Sequence, residues 1–261
     1  MKRSFSLGAL TSDEVRAITA SPPTAILLPV GSVEPHGPHL PLETDTLLGE
    51  ESAERAAAAL GARGIATYVA PSVAYGVTDF AAGFHGAVGV PGPVLTSLLE
   101  AIVARLLADG WSHVCLVNHH LEPAHDAAVR AAVAGAAPGR ASVACPLTRR
   151  WGRTLSDEFK RGNCHAGRYE TSLVLAARGH VHDGFTTLPA VDISLSEGIK
   201  AGQGTFAAMG MSRAYTGAPA EASVEEGEAL YARLTDMIVA EVTEGLAKAA
   251  HPSPAGGNPR A

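Results

Sequence analysis

The chain has 261 residues, of which 46% are hydrophobic and 18% are charged, and its formal net charge at pH 7 is -6. This balance is typical of a globular protein rather than of a disordered chain. The net negative charge, together with the lack of a lysine- or arginine-rich run, argues against a nucleic-acid partner, because phosphate binding requires a concentrated basic surface.

The N-terminal segment MKRSFSLGALTSDEVRAITA starts with two basic residues, but the polar run TSDE interrupts its apolar stretch. We therefore expect no signal peptide and a helix that Thr11 or Ser12 opens. No apolar run approaches the ~20 residues that a membrane span needs, so we expect no membrane partner. Cys115, Cys145 and Cys164 lack paired spacing, which predicts reduced thiols in a cytoplasmic protein.

Strands and helices alternate in the first part of the chain. The nearly continuous apolar run of residues 24–30 predicts a buried strand. Residues 46–60 have helical periodicity, with Gly61 as the stop, and residues 65–70 form a second strand candidate. Residues 71–93 are rich in glycine and contain aromatic side chains, which predicts a functional or lid-like loop because loops of that length are uncommon in compact domains.

The same alternation continues to the last long helix. The predicted elements are helix 94–108, strand 113–117, helix 124–136, strand 141–145, helix 165–178 and helix 221–248. The alternation predicts one α/β domain over residues 1–248, with a mostly parallel sheet covered by helices on both faces. We expect the tail, residues 249–261, to be disordered.

Two clusters of potential metal ligands follow predicted strands. The segment GSVEPHGPHLPLETDT follows the first strand and contains Glu34, His36 and Asp45, and the segment NHHLEP follows strand 113–117 and contains His120 and Glu122. Side chains two residues apart in an extended segment point to the same side. Because ligands of such folds lie beyond the carboxyl ends of the strands, we expect the two clusters to converge.

The donor set of two imidazoles and three carboxylates predicts two metal ions rather than one. A catalytic zinc commonly uses three protein ligands, whereas paired metals share a carboxylate, polarise a carbonyl and activate water. Mixed nitrogen and oxygen ligation without cysteine fits zinc, manganese, iron or cobalt. Each residue also has a plainer interpretation by itself: Asp45 as a helix N-cap, Glu34 as a solvated loop acid and His120 as an ordinary residue at a strand end.

A third motif, CHAGRYETS, contains His165 and Glu170. If a helix began at His165, the two side chains would lie on different faces, whereas a glycine turn that places His165 before the helix frees it for proton transfer. The alternative is a helix-capping histidine and a surface glutamate. The motif HVHD at residues 180–183 also has ligand-like spacing, but it lies in a predicted surface turn and we assign it no function.

These motifs resemble those of the creatininase (creatinine amidohydrolase) family. LPVGSVEPHGPHLPLETDT matches the family's N-terminal signature almost throughout, NHHLEP resembles its second motif and HAGRYETS matches its third. The resemblance implies a three-layer α/β/α sandwich and a hydrolase of carbon–nitrogen bonds other than peptide bonds. It also implies two divalent metal ions per chain and a homo-oligomer, often a hexamer.

The resemblance implies a ligand set as well. Glu34, Asp45 and His120 correspond to the ligands of one metal, and His36, Asp45 and Glu122 to those of the other, with Asp45 bridging. We expect zinc, with manganese or iron as alternatives. By the same resemblance, His165 corresponds to the family's proton shuttle. Glu170 corresponds to the acid beside it, which either orients His165 or binds a metal.

Several departures from the family pattern concern the substrate. In the second motif, His119 replaces a glycine, Leu121 replaces an aromatic residue and Pro123 replaces an asparagine. Before the third motif's histidine, Cys164 replaces an acid. We conclude that the metal centre is retained and the substrate pocket is altered. The expected substrate is therefore a small amide, a cyclic amide (lactam) or a formamide rather than creatinine.

Two further hypotheses remain open. The same metals would serve a hydrolase of a C–C or C–O bond in a small cyclic ketone or lactone, and the chain would alternatively be a non-catalytic scaffold subunit. Ammonia or amine release separates the first of these from amide hydrolysis.

The candidates to line the pocket are Trp151, Tyr75, Phe84 and His85, because aromatic side chains in long loops often line such pockets.

Overall fold

The structure, a computed structural model, describes residues 5–251. Within this range one parallel sheet has the strand order β2-β1-β3-β4. The strands are β1 (Thr24–Val30), β2 (Ala66–Val69), β3 (His113–Asn118) and β4 (Ala141–Ala144). Val30 pairs with Asn118, so the two central strands end side by side. The predicted α/β class with a parallel sheet is confirmed.

Nine α-helices lie in the described part of the chain. They are α1 (Ser12–Thr19), α2 (Thr44–Gly61), α3 (Gly92–Ala108), α4 (Pro123–Ala131), α5 (Arg149–Gly152), α6 (Asp157–Arg161), α7 (Arg168–Arg178), α8 (Leu195–Lys200) and α9 (Val224–Ala250). None of the helices within residues 5–251 has the length and apolar character that crossing a membrane requires.

The predicted long helices are present, but several boundaries differ from the prediction. The helix predicted from residue 165 begins only at Arg168, because Ala166 has a positive φ of 49° that no helix accommodates. Three short helices, α5, α6 and α8, lie outside every predicted element. Helix α9 runs to Ala250, so the first two residues of the predicted tail are helical, and residues 252–261 lie outside the described range.

Two apolar layers cover the sheet, one on each face. Successive residues of a strand point to opposite faces, and β1 is buried along its whole length. Ile26 and Leu28 pack in one cluster with Leu95 and Leu99 of α3. On the other face, residues of β1 and β3 pack against α2, α7 and α9, with Tyr231 among the largest buried side chains. Burial on both faces explains why β1 reads as a continuous apolar run.

A long loop crosses the carboxyl ends of the central strands; we call residues 71–91 the crossing loop. Val73 N donates to the carbonyl of Pro29 at 3.0 Å, and Val88 N donates to the carbonyl of Val33 at 2.9 Å. Pro29 thus lies near the end of β1, where its carbonyl serves the loop. These bonds hold the crossing loop over the sheet edge where the predicted ligands lie.

Candidate metal centre

The segment after β1 places three predicted ligands in the interior. Glu34, His36 and Asp45 are all buried. Asp45 lies in the first turn of α2, whose N-cap position is held by Glu43, so the interpretation of Asp45 as the N-cap is wrong. Ser32 Oγ donates to Asp45 Oδ2 at 2.7 Å. The amino end of a helix favours a carboxylate electrostatically, which suits Asp45 to this position.

The segment after β3 brings its histidine to the same place. His120 Nδ1 lies 3.2 Å from Glu34 Oε1 and 3.1 Å from Asp45 Oδ2. Glu122 is also buried, and its Oε2 lies 3.9 Å from His120 Nε2. The structure therefore brings together the two clusters that follow adjacent strands, as the strand-end argument predicts.

The three imidazoles of the site share one arrangement. Each places one ring nitrogen on a backbone carbonyl: His36 Nδ1 on that of Glu34 (3.0 Å), His120 Nε2 on that of Val77 (2.6 Å) and His165 Nε2 on that of Pro35 (3.0 Å). Because a carbonyl only accepts, each of these nitrogens carries the proton. The other nitrogen of each ring faces the carboxylates, and a backbone carbonyl on the opposite nitrogen is how proteins orient metal-binding histidines.

The third motif contributes a buried histidine and a buried glutamate. His165 precedes α7, and its ring lies against that of His36, with centroids 4.5 Å apart. Ala166 N donates to Glu170 Oε2 at 2.7 Å, and the same oxygen lies 3.6 Å from His36 Nε2. Glu170 is therefore not a surface glutamate, because it belongs to the same cluster as the other predicted ligands.

The side chains divide differently from the expected ligand sets. Three groups in the described residues have potential ligand atoms within 4.8 Å of one another: Glu34, His120 and Glu122; His36, Asp45 and Glu170; and Glu34, His36 and His165. Glu122 thus lies with His120 instead of His36, and Glu170 takes the place beside His36. Asp45 has one oxygen near each half, since Oδ1 lies 3.2 Å from His36 Nε2 and Oδ2 lies 3.1 Å from His120 Nδ1.

The electrostatics of this cluster fit a cation. Burial raises the pKa of Glu170 to about 8 and that of Glu122 to about 7. Burial lowers the pKa of His36, but the carboxylates around it, with Asp45 foremost, raise it to about 10. Glu34 Oε2 is buried and has no hydrogen-bond partner within residues 5–251. Crowded carboxylates and an unpartnered buried oxygen are stabilised by positive charge, which divalent metals supply.

A cavity of about 160 Å³ opens above these residues. Its walls and mouth are largely apolar, and the side chains concerned are Phe80, Leu121, Leu147, Phe159, Cys164, Leu195, Ile199 and Phe206. Lys160 and Ser196 add polar groups at the lining. The ring centroids of Phe206 and His165 are 4.3 Å apart, so the apolar wall contacts the histidine that the sequence predicts to transfer protons.

The aromatic residues predicted to line the pocket do not line this cavity. Tyr75 is 53% exposed, and Trp151 donates its Nε1 hydrogen to Glu241. Phe84 packs against the outer side of the wall, 6.4 Å from the ring of Phe206. Phe206 was missed because its segment carries no periodic pattern. The lining residues of α6 and α8 were missed because helices of five and six residues leave no periodic signal.

Comparisons with known proteins give consistent results. Residues 8–242 match the family model described as Creatininase: Creatinine amidohydrolase. A mycofactocin precursor peptide peptidase of Mycobacterium tuberculosis is 33% identical over 174 residues, which are 65% of this chain and 63% of that protein. A creatinine amidohydrolase of Pseudomonas putida is 31% identical over 127 residues, 47% of either chain. The matched region thus spans less than two thirds of these relatives.

A solved manganese creatininase has a similar fold, with a TM-score of 0.71 at 22% identity. The match covers 93% of this chain and 99% of that one. The likeness of fold therefore extends over nearly the whole chain.

Proposed function

The chain belongs to the creatininase family, and on that premise we propose that it is a metal-dependent amidohydrolase that cleaves a C–N bond in a small apolar amide. One observation carries this proposal: the imidazoles of His36 and His120, each fixed by a backbone carbonyl on one nitrogen, turn the other nitrogen toward buried carboxylates. Such an arrangement orients ligands for metal.

Two divalent ions fit the two halves of the cluster. Glu34, His120 and Glu122 would hold one, and His36 and Glu170 would hold the other, with Asp45 shared between them. When bound, such paired ions polarise a carbonyl and lower the pKa of water. The mixed nitrogen and oxygen ligands suit zinc, manganese or iron, and solved creatininases of similar fold include a manganese form and a Zn-Zn form.

His165 is suited to move the proton of the reaction. Burial, together with the charge of His36, lowers the pKa of His165 to about 4, so the ring is neutral near pH 7. Its Nε2 hydrogen is engaged with Pro35, which leaves Nδ1 as the basic atom, 3.8 Å from Glu34 Oε1. Nδ1 accepts a proton as water attacks the carbonyl and returns it to the departing nitrogen.

Glu170 contributes to the orientation of His165 as well. Its carboxylate accepts the N–H of Ala166, the residue whose backbone φ of 49° turns the chain between His165 and α7. A non-glycine residue in this conformation is strained and persists where its surroundings hold it. We therefore assign Glu170 two contacts, one to His36's side of the cluster and one to the turn that presents His165.

The cavity indicates the kind of substrate. A volume of about 160 Å³ is close to that of the ~150 Å³ protein cavity that holds benzene, so one small ring or branched aliphatic group fits. Phe80, Leu121 and Phe206 offer no hydrogen bonds to the several polar atoms of creatinine. A lactam, formamide or other amide with an apolar group beside the scissile bond satisfies both the walls and the cluster.

A peptide is the second candidate substrate. The mycobacterial relative that is 33% identical is described as a peptide peptidase, and the cavity mouth carries Lys160, a cation suited to a terminal carboxylate. A short peptide with an apolar side chain near its carboxyl end would place that side chain among the apolar walls. The scissile bond would then be a peptide bond, contrary to the expectation for a creatininase relative.

The deciding experiment is a product analysis with protein reconstituted with zinc or manganese. The substrates are an N-formyl amine, an aromatic lactam, the matching lactone and a short peptide ending in an aromatic residue. Release of formate and amine from the N-formyl amine, or opening of the lactam to its amino acid, supports the proposal, and release of amino acid from the peptide supports the second candidate. Turnover of the lactone alone would favour a C–O hydrolase, and no turnover by metal-loaded protein would favour a scaffold subunit.

Assembly and location complete the proposal. We propose a homo-oligomer, with a hexamer as the expected state, and sedimentation velocity of the metal-loaded protein measures it. A cytoplasmic location agrees with Cys115, Cys145 and Cys164, which are all buried and unpaired.

A further inference from the structure

The crossing loop contacts two predicted metal ligands through its backbone. The carbonyl of Val77 accepts from His120 Nε2 at 2.6 Å, and Asp79 N and Phe80 N donate to the carboxylate of Glu122 at 3.2 and 3.1 Å. The orientation of His120 and Glu122 therefore depends on where this loop lies. The loop itself belongs to no strand, so something must fix it at this point.

The side chain of His125 is in the right place to do so. His125 lies in the first turn of α4 and is fully buried. Its Nδ1 accepts the backbone N–H of Val77 at 3.3 Å, and its ring meets that of His120 edge-on, with centroids 4.6 Å apart. Val77 is thus held from two sides, with its N–H on His125 and its carbonyl on His120.

The state of the His125 ring follows from these contacts. A backbone N–H only donates, so Nδ1 is the acceptor and the proton of the neutral ring is on Nε2. Nε2 has no hydrogen-bond partner among the described residues. A buried, unpartnered N–H is costly, so its presence calls for a compensating role.

Gly76 shows how closely the loop approaches this ring. A Cβ atom at position 76 would lie 2.4 Å from His125 Nδ1 and 2.7 Å from the carbonyl oxygen of Gly31. Only a residue without a side chain therefore permits the contact between Val77 and His125. The glycine and the histidine form one interlocking feature.

We propose that His125 is a positioning residue of the metal centre. Through Val77 it holds the imidazole of His120 with Nδ1 directed at Glu34 and Asp45, and it steadies the loop whose next residues bind Glu122. Sequence inspection offered no hint of this, because His125 lies outside the ligand motif, three residues after Glu122. The inference rests on the proposed metal-dependent function and adds to it a residue outside the ligand set.

The test compares two substitutions at this position. His125→Asn keeps an acceptor, since Oδ1 of asparagine occupies nearly the position of Nδ1, whereas His125→Ala removes it. Apoprotein prepared with a chelator is titrated with zinc by calorimetry, and its thermal unfolding is measured without metal. We expect His125→Ala to weaken zinc binding at one of the two sites by roughly 10- to 100-fold, as loss of a group that orients a ligand does, and His125→Asn to retain most of the affinity.

A buried histidine elsewhere provides the matched control. His113 starts β3, at the opposite end of the strand from the metal cluster, and its ring bonds the carbonyl of Gly139 and the hydroxyl of Ser142. His113→Ala should lower the melting temperature of the apoprotein and leave both zinc dissociation constants unchanged. It separates a loss of stability from a loss of ligand orientation.

Four outcomes would overturn the inference. The first is unchanged zinc affinity at both sites in His125→Ala. The second is an equal loss in His125→Asn and His125→Ala, because the acceptor atom would then not be the cause. If the alanine variant does not fold, a native affinity in His125→Asn supports the inference and a reduced one opposes it. Wild-type protein that binds no zinc or manganese would overturn the proposed function itself, and this inference with it.

Discussion

The floor and the wall of the cavity are built on different supports. The floor residues Glu34 and His120 follow adjacent strands whose register aligns their ends, and they are almost completely buried. The wall and mouth come from short helices and loops, where Leu147 is 43% exposed and Ile199 is 37% exposed. The sheet thus fixes the predicted metal ligands, whereas segments without a sheet partner form the walls and mouth of the cavity.

The largest effect is expected from Asp45→Ala, which removes a side chain from the floor of the cavity. Asp45 approaches both halves of the cluster, so we expect bound metal to fall from about two ions per chain to less than one, and activity to fall roughly 1,000-fold or more. Plasma mass spectrometry of protein purified without chelator measures the first effect. Asp13→Ala, at an exposed position on α1, is the control. Two retained ions in Asp45→Ala would contradict the shared-ligand assignment.

The next largest effect is expected from a substitution of His165, and it tests whether this residue transfers protons or binds metal. His165→Ala should lower kcat by roughly 100- to 10,000-fold, as loss of a proton-transfer group does, while metal content stays native. The geometry makes this a real test, because His165 also forms a possible ligand group with Glu34 and His36. Loss of an ion from the variant would show that His165 is a ligand instead.

Phe206→Ala probes the wall and should leave the floor intact. Because Phe206 lies against His165 and lines the cavity, we expect KM for an apolar amide to rise roughly tenfold, the scale of one apolar contact in a binding pocket. Metal content should not change. Phe84→Ala is the matched control, since Phe84 packs on Phe206 from outside the lining. Equal effects of the two variants would show that packing, and not substrate contact, is responsible.

The smallest expected effect lies at the mouth. Lys160 is partly exposed and pairs with Asp157 at 3.1 Å, so its attraction for a carboxylate is weak. Lys160→Gln should raise KM for a substrate with a carboxylate by up to about fivefold and less at high salt, since exposed ion pairs contribute at most ~1 kcal/mol. The neutral amide of the same substrate is the comparison. A similar rise for both compounds would exclude a role of the charge.

The sequence predicted the floor far better than the wall, for physical reasons. Strands buried on both faces read as apolar runs, and hard ligands placed directly after them converge by topology, so Glu34 and His120 were found together. The division of Glu122 and Glu170 between the two halves was not predicted. It depends on side-chain directions across three loops, which no spacing along the chain encodes.

The wall shows the limit of pattern reading most clearly. Phe80 and Phe84 lie four residues apart in one loop, yet Phe80 lines the cavity and Phe84 lies outside it. The selection depends on a 3-10 turn at Asp79–Ala81 and on backbone bonds to Glu122. Neither leaves a periodic signal in the sequence, and composition alone favoured the wrong aromatic residues.

The crossing loop constrains how the cavity can change while the metal cluster is kept. One short stretch supplies a wall side chain, Phe80, and the backbone groups that hold His120 and Glu122. An insertion, a deletion or a proline in this stretch would change the cavity wall and would also disturb the backbone groups that hold the predicted metal ligands. Substitution of Leu147 or Ile199 does not carry this risk to the metal centre. We therefore expect new substrate preferences to arise first from substitutions at the cavity mouth. The crossing loop is expected to exchange side chains while its length stays fixed.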